Sequence, residues 1–331
     1  MPHKTANQSV HIVLGTAGFG SAKDPQAKFN DATSATPLLD LFRSHGHTEL
    51  DTARAYPVEA GGTAEELLGR LEVGSWATIN SKVKSWTPHA HRKEGIEKSV
   101  ADSLEALNVD KVHIMFLHAP DRTTPFEETC RAMDAAHREG KFERFGLSNF
   151  TAEEVDEVVA ICGKEGFVKP TAYQAKYSII ARGSEEDLFP VLRKHGISFH
   201  AYSPSAAGFF SGNVTRESVN SSGSRWDSGT LLGKIYQGDY FKDEIFAAAT
   251  RVKKSAEAVG LTGHGVALRW TLYHSLLRAE HGDAIIVGCS SLAQMEQNLE
   301  YIEQGPLPKN LVEEMGQVWD SVKATAPSYH K

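Results

Sequence analysis

The chain has 331 residues, 40% hydrophobic and 23% charged, a composition that excludes a disordered or fibrous protein. Its 42 acidic residues outnumber 35 lysines and arginines, and the net charge of −7 argues against nucleic acid as a partner. No apolar run approaches the roughly 18 residues that a membrane helix needs. Three widely spaced cysteines argue against a disulfide framework. We therefore expect a cytoplasmic protein that binds no membrane.

Short apolar or β-branched runs alternate with segments of helical period along almost the whole chain. Predicted strands begin at residues 11, 48, 77, 112, 144, 171, 197 and 283. Helices are predicted, in chain order, over residues 35–43, 65–71, 95–107, 125–139, 151–161, 185–195, 243–259, 266–273, 292–301 and 311–322. Residues 202–240 are rich in glycine and serine, and we predict that they form a long, irregular functional loop.

Eight strands that are nearly all separated by helices predict a closed parallel (β/α)8 barrel, the TIM barrel. This barrel has a long loop after its seventh strand and an extra helix at the C-terminus. An open doubly wound sheet is the alternative, because periodicity does not reveal the order of strands. No linker or change of composition divides the chain, so we expect a single domain over residues 1–331.

Several common catalytic motifs are absent. The segment Gly15-Thr-Ala-Gly-Phe-Gly20 lacks the spacing of the Gly-x-Gly-x-x-Gly motif for nucleotide binding. The pairs His45/His47 and His89/His91 have no cysteine or carboxylate companions at the spacing of a metal site. We therefore predict that these histidines lie on the surface and that the chain has no metal site.

Polar side chains stand at the carboxyl ends of the predicted strands, where a parallel barrel carries its chemistry. Asp51 ends the second strand, Tyr56 lies in the following loop, Lys82 ends the third strand, and His118 follows the fourth. Each of these residues alone usually caps a helix or satisfies a turn. Together they form a coherent proton-transfer unit.

Within this unit, we predict that Lys82 stays cationic beside Asp51 and lowers the pKa of Tyr56 from about 10 toward neutrality. The phenol would then serve as a general acid. We expect His118 to be uncharged at neutral pH and to orient either a substrate carbonyl or the phenol.

The order of several longer segments supports this interpretation. They are 50–56 (LDTARAY), 81–82 (SK), 116–121 (FLHAPD), 140–150 (GKFERFGLSNF), 201–212 (AYSPSAAGFFSG), 265–270 (GVALRW) and 288–300 (GCSSLAQMEQNLE). On these segments, which cover essentially the whole chain, the sequence resembles the aldo-keto reductase superfamily. It is most similar to the branch of aflatoxin-aldehyde and succinic-semialdehyde reductases.

The resemblance implies a (β/α)8 barrel that holds NADPH across the strand ends and reduces an aldehyde or ketone, and it implies a homodimer. Asp51, Tyr56, Lys82 and His118 match the catalytic tetrad of the superfamily. The positions matching cofactor contacts are Gly15 and Thr16; Ser148, Asn149 and Gln174 for the carboxamide; Tyr202 for the nicotinamide ring; Ser203, Pro204, Ser205, Ala207, Gly208, Ser211 and Asn213 in the pyrophosphate strap; Arg225; and Ser290, Gln294, Gln297 and Asn298 for the 2′-phosphate and adenine.

The chain departs from that branch in the segment after the strap and at its last residue. Tyr236 is followed by Gln237, Gly238 and Asp239 where the branch carries arginines, and the chain ends in Lys331 where the branch ends in arginine. A preference for small carboxylated aldehydes therefore does not follow from the resemblance. Two other functions stay open: a lyase that forms a Schiff base on Lys82, and a nucleotide-sensing accessory protein with slow turnover.

Overall fold

The computed structural model describes residues 10–212, 214–216 and 224–331. Eight parallel strands close a barrel in which each strand pairs with the next and the eighth pairs with the first. The predicted (β/α)8 barrel is therefore confirmed, and the closed strand order excludes the open doubly wound sheet. The strands are β1 His11–Gly15, β2 Glu49–Asp51, β3 Thr78–Val83, β4 Val112–Leu117, β5 Phe142–Ser148, β6 Pro170–Lys176, β7 Ser198–Tyr202 and β8 Ala284–Val287.

Eleven α-helices occur in the part of the chain that the structure describes. None of them combines the length and the apolar character that crossing a membrane requires. The helices are α1 Ala32–Ser44, α2 Thr63–Arg70, α3 Lys93–Leu107, α4 Phe126–Arg138, α5 Ala152–Glu165, α6 Leu188–His195, α7 Leu231–Tyr240, α8 Asp243–Glu257, α9 Gly263–Tyr273, α10 Leu292–Glu303 and α11 Lys309–Val322.

Most strand residues are buried, because helices cover the outside of the barrel and side chains fill its inside. In β4 every residue except His113 is buried. Local signals fix the helix ends. At the start of α5, the Thr151 hydroxyl accepts the Glu154 amide N–H, and the Glu154 carboxylate accepts the Thr151 amide N–H. Such reciprocal caps satisfy amide groups that have no partner within the helix.

The prediction of an irregular loop over residues 202–240 was wrong in part. Its end forms α7, which begins after Thr230, whose hydroxyl accepts the Gly233 amide N–H at 3.0 Å. Gly233 and Gly238 weakened the helical signal of this segment, so no helix was predicted there. Gly233 is nevertheless required, because a Cβ there would lie 1.9 Å from the Asp227 carbonyl oxygen. A short 3₁₀ segment, Ala206–Ser211, occupies an earlier part of the region.

Parallel strands place all eight carboxyl ends at one end of the barrel, which we call the mouth. Segments from both halves of the chain meet there. The Leu231 amide at the start of α7 donates to Glu59, which lies in the loop after β2, at 3.3 Å. At the C-terminus, the Lys331 amide donates to the Asn149 carbonyl oxygen at 3.0 Å.

Candidate active site

Asp51 and Lys82 form a buried ion pair at the mouth. Asp51 is the last residue of β2, and Lys82 lies near the end of the adjacent strand β3. Their side chains therefore meet directly. Lys82 Nζ donates to Asp51 Oδ1 at 2.5 Å and to the Thr52 carbonyl oxygen at 2.7 Å. The other carboxylate oxygen of Asp51 accepts Gln174 Nε2 at 2.8 Å. This pair therefore links β2, β3 and β6.

Tyr56 and His118 stand next to that pair. Their ring centroids are 5.5 Å apart at 84°, an edge-to-face contact, and Lys82 Nζ lies 5.0 Å from the centroid of the Tyr56 ring. On its other side, His118 contacts the indole of Trp86 edge to face, at 5.4 Å. Trp86 is exposed beside His118.

The expectation that Lys82 lowers the pKa of Tyr56 was wrong. Burial raises the pKa of Tyr56 well above 10, and the negative charge of Asp51 raises it further. The physical reason is the position of the cation, since Lys82 makes its hydrogen bonds to Asp51 and Thr52. At neutral pH the phenol therefore keeps its proton.

His118 is neutral in this environment. Burial lowers its pKa well below 6.5, and the nearby positive charge of Lys82 adds to the effect. Its backbone is fixed on both sides, because the carbonyl oxygen accepts Asn149 Nδ2 at 2.8 Å and the amide N–H donates to Ser85 Oγ at 3.1 Å. Burial also lowers the pKa of Lys82, while the carboxylate of Asp51 opposes that shift.

The residues predicted to hold a carboxamide form one connected group. Asn149 donates to Ser148 Oγ at 3.0 Å, and its side-chain oxygen accepts the Tyr202 hydroxyl at 2.9 Å. Asn149 has a left-handed backbone, with a φ of 64°, and its amide N–H donates to the Gln174 carbonyl oxygen. The structure therefore brings Ser148, Asn149, Gln174 and Tyr202 together beside the Asp51–Lys82 pair.

The chain after β7 has an unusual backbone. Ser203, Ala206 and Ala207 have left-handed φ values of 55°, 52° and 56°, and Gly208 follows with 85°. Residues with a Cβ rarely adopt this conformation, so its repetition within six residues is a built feature. Thr271 of α9 supports the segment by donating its hydroxyl to the Pro204 carbonyl oxygen at 3.1 Å. Ser205 is buried here, Ser211 ends the 3₁₀ segment, and the predicted contact Asn213 lies outside the described residues.

The start of α10 carries the next group of predicted contacts. Ser291 is the cap, accepting the Gln294 amide N–H at 3.2 Å, while Ser290 donates its hydroxyl and its amide N–H to the Gln294 side chain. Gln297 is exposed on the same helix. Asn298 is buried and bonds to His264 Nε2 at 2.7 Å, so in this structure it joins α10 to α9.

Arg225 lies near the start of α10. Burial raises the pKa of the Cys289 thiol to about 12, and the Arg225 guanidinium opposes that shift. The same guanidinium lies 5.9 Å from the ring of Tyr236.

Gly15, at the end of β1, packs against β8, and Thr16 directly after it makes a hydrogen bond to β2. A Cβ on Gly15 would lie 2.9 Å from Ile286, and the Thr16 hydroxyl donates to the Asp51 carbonyl oxygen at 3.0 Å.

Sequence reasoning missed two buried residues, His91 and Lys176. His91 was predicted to lie on the surface, but it is fully buried, with Nε2 2.8 Å from Ser85 Oγ. Lys176 is also buried and forms an ion pair with Asp239 of α7. A signal for Lys176 was present, because it follows Gln174 by two residues on β6 and alternate strand residues share a face.

The comparisons with known proteins agree with this geometry. A sequence profile of the aldo/keto reductase family matches residues 11–320. Human aflatoxin B1 aldehyde reductase member 2 is 36% identical over an alignment of 335 positions, gaps included, that covers 97% of this chain and 90% of the human protein. An aldo-keto reductase of Pseudocercospora fijiensis is 36% identical over 298 residues, 88% of this chain and 99% of that protein. Oxidoreductase sirO of Leptosphaeria maculans is 36% identical over 321 residues, 96% of each chain.

Proposed function

Because this chain belongs to the aldo/keto reductase family, we propose that it reduces an aldehyde or ketone to the alcohol, with NADPH as the hydride donor and Tyr56 as the general acid. Family membership supports the coarser part of this proposal, carbonyl reduction with a nicotinamide cofactor. The observation that carries the finer part is the contact between a protonated Tyr56, a neutral His118 and the buried Asp51–Lys82 pair.

The residues at the mouth fit a dinucleotide. A residue of right-handed backbone followed by a left-handed one can form a concave backbone that binds anions, and Ser205, with a φ of −105°, directly precedes the left-handed Ala206. The N-terminus of α10 adds a second position that favours a phosphate. Beside the Asp51–Lys82 pair, Ser148, Asn149 and Gln174 present amide and hydroxyl groups for a carboxamide, and Tyr202 presents a ring for stacking. When bound, the reduced nicotinamide supplies the hydride.

The proton chemistry belongs to the chain. During reduction, the carbonyl carbon gains a hydride and the oxygen gains the phenolic proton of Tyr56. The raised pKa of Tyr56 keeps that proton in place until charge develops on the substrate oxygen. Neutral His118 is suited to hold the carbonyl by a hydrogen bond, because it introduces no competing charge. The Asp51–Lys82 pair lies beside the phenol, with Lys82 Nζ 5.0 Å from the centroid of the Tyr56 ring.

Tyr56→Phe tests this assignment. We expect the rate of aldehyde-dependent NADPH oxidation to fall by a factor of roughly 10² to 10⁴ while the Kd for NADPH stays within about twofold. Tyr273→Phe is the matched control, since its hydroxyl donates to the Ile302 carbonyl oxygen away from the mouth. Full activity of Tyr56→Phe would contradict the proposal.

The Schiff-base alternative finds less support. Lys82 is fully buried and already donates two hydrogen bonds, whereas a Schiff-base lysine needs a neutral amine that a carbonyl carbon can reach. Borohydride trapping with a carbonyl substrate would detect such an adduct. The accessory-protein alternative predicts cofactor binding with very slow turnover for every carbonyl offered.

Three finer points belong to the same proposal. We place the protein in the cytoplasm, which its three free cysteines support. We treat residues 1–331 as one catalytic domain, since strands from His11 to Val287 close one barrel. We also propose a homodimer, which light scattering of the purified protein would test.

A further inference from the structure

A buried serine and a buried histidine lie directly behind His118. Ser85 Oγ receives the His118 amide N–H at 3.1 Å, lies 3.0 Å from the Val83 carbonyl oxygen, and lies 2.8 Å from His91 Nε2. Ser85 is 6% exposed and His91 is fully buried. His91 is itself anchored, because its amide N–H donates to Asp121 Oδ2 at 3.1 Å. None of these contacts involves the Asp51–Lys82 pair.

The three contacts of Ser85 determine where its proton lies. A serine hydroxyl has one hydrogen to donate and two lone pairs. All three contacts are satisfied only if the hydroxyl donates to Val83 and accepts both from the His118 amide and from His91 Nε2–H. His91 is then a neutral ring with its proton on Nε2, which agrees with burial lowering its pKa to about 4.

We propose that Ser85, oriented by the Nε2–H of His91, positions His118 for its contact with the substrate carbonyl. The inference rests on the proposed function, in which His118 holds that carbonyl. His118 is fixed at both ends of its backbone, by Asn149 at the carbonyl oxygen and by Ser85 at the amide N–H. Asn149 belongs to the predicted cofactor site, so Ser85 is the support that depends on the protein interior alone. Both residues are positioning residues, since neither reaches the reacting atoms.

Ser85→Ala removes the acceptor for two buried N–H groups, those of His118 and His91. A displacement of a catalytic group by about 1 Å can reduce rates about 100-fold, so we expect kcat for aldehyde reduction to fall at least about tenfold. KM for the aldehyde and the Kd for NADPH should change by less than about threefold. Ser85→Thr retains the hydroxyl and should restore most of the lost kcat.

Ser99→Ala is the matched control. Ser99 is also 6% exposed, and its hydroxyl accepts the amide N–H of Lys84, in the same loop, at 3.0 Å. Ser99→Ala therefore loses the same kind of buried hydrogen bond but leaves the contact between Ser85 and His118 in place. We expect the kcat of this variant to stay within about twofold of the wild type. Equal kcat values for Ser85→Ala and Ser99→Ala would overturn the inference.

A second pair of variants covers the case in which Ser85→Ala does not fold. His91→Leu removes the donor to Ser85, whereas His91→Gln offers an amide N–H in its place. A kcat that falls in His91→Leu and recovers in His91→Gln supports the inference, and equal values overturn it. Wild-type protein that reduces no carbonyl would instead contradict the proposed function, and this inference with it.

Discussion

Lys82 Nζ lies 2.5 Å from Asp51 Oδ1, and both side chains are buried at the carboxyl ends of adjacent strands. Lys82 Nζ also lies 5.0 Å from the centroid of the Tyr56 ring. The attraction within a buried ion pair adds little to the stability of a protein. Removing one partner is strongly destabilising, because the other charge is then buried without compensation.

Removing either partner should destabilise the barrel and abolish activity. Lys82→Met leaves the Asp51 carboxylate buried without its cation, and we expect the free energy of unfolding in urea to fall by about 3 to 5 kcal/mol. The double variant Lys82→Met/Asp51→Asn should recover part of that loss but none of the carbonyl reduction. If the losses of unfolding free energy in Lys82→Met and Asp51→Asn sum to the loss in the double variant, the two residues act as independent groups.

Arg225 should distinguish NADPH from NADH. Its guanidinium lies near Cys289, directly before the start of α10, where the resemblance implies the 2′-phosphate. A hydrogen bond to a charged group contributes about 1.5 to 3 kcal/mol, so Arg225→Ala should raise the Kd for NADPH at least about tenfold and leave the Kd for NADH unchanged. Arg216→Ala is the control, because Arg216 pairs with Asp243 on an exposed surface. Equal losses for both cofactors would contradict a phosphate contact.

The folded protein should lose stability as the pH falls below neutrality. Burial lowers the pKa of His91 to about 4, whereas the unfolded chain titrates near 6.5. Between these values the unfolded chain binds a proton that the folded chain does not, so the free energy of unfolding decreases as pH falls, by about 1.4 kcal/mol per pH unit for this residue.

Urea unfolding of His91→Gln between pH 7 and pH 4 tests this dependence. Its free energy of unfolding should vary less steeply with pH than that of the wild type, by about one proton. His89→Gln is the control, because its ring is exposed in the same loop. Identical slopes for His91→Gln and the wild type would mean that His91 takes up its proton without unfolding.

The Lys176–Asp239 pair predicts an asymmetric mutational effect. Lys176 is 2% exposed and Asp239 is 19% exposed, with Lys331 Nζ 3.7 Å from the same carboxylate. Asp239→Asn leaves a buried ammonium without its anion and should cost about 3 to 5 kcal/mol. Lys176→Met leaves a carboxylate that water and Lys331 still reach, so its cost should be smaller. Urea unfolding of both variants measures the difference, and a larger loss in Lys176→Met would contradict this explanation.

Most of the fold followed from the sequence because alternation and helical period are local signals. All eight strands lie where the apolar runs predicted them, within a few residues. Closure of the barrel could be predicted only by counting the strands, because β1 and β8, which pair with each other, lie far apart in the sequence. Helix α7 was missed because Gly233 and Gly238 weaken its helical signal, although Gly233 is needed for packing.

The sequence predicted which residues lie together in the candidate site, but it did not predict how they shift each other's pKa values. Strand ends identified Asp51, Lys82 and His118, because parallel strands share one mouth. The direction of the Tyr56 pKa shift was wrong, since a sequence does not show that Lys82 makes its hydrogen bonds to Asp51 and Thr52. The burial of His91 was equally invisible, because it depends on the path of an irregular loop between β3 and α3.

The pairing of β1 with β8 has a consequence for biosynthesis. Leu14 finds its partner on β8, Val287, only after more than 270 further residues have left the ribosome. Until then β1 exposes an unpaired edge, which is a template for aggregation. We therefore expect nascent chains stalled before Ala284 to be captured by chaperones or degraded. Once β8 leaves the ribosome, the barrel can close.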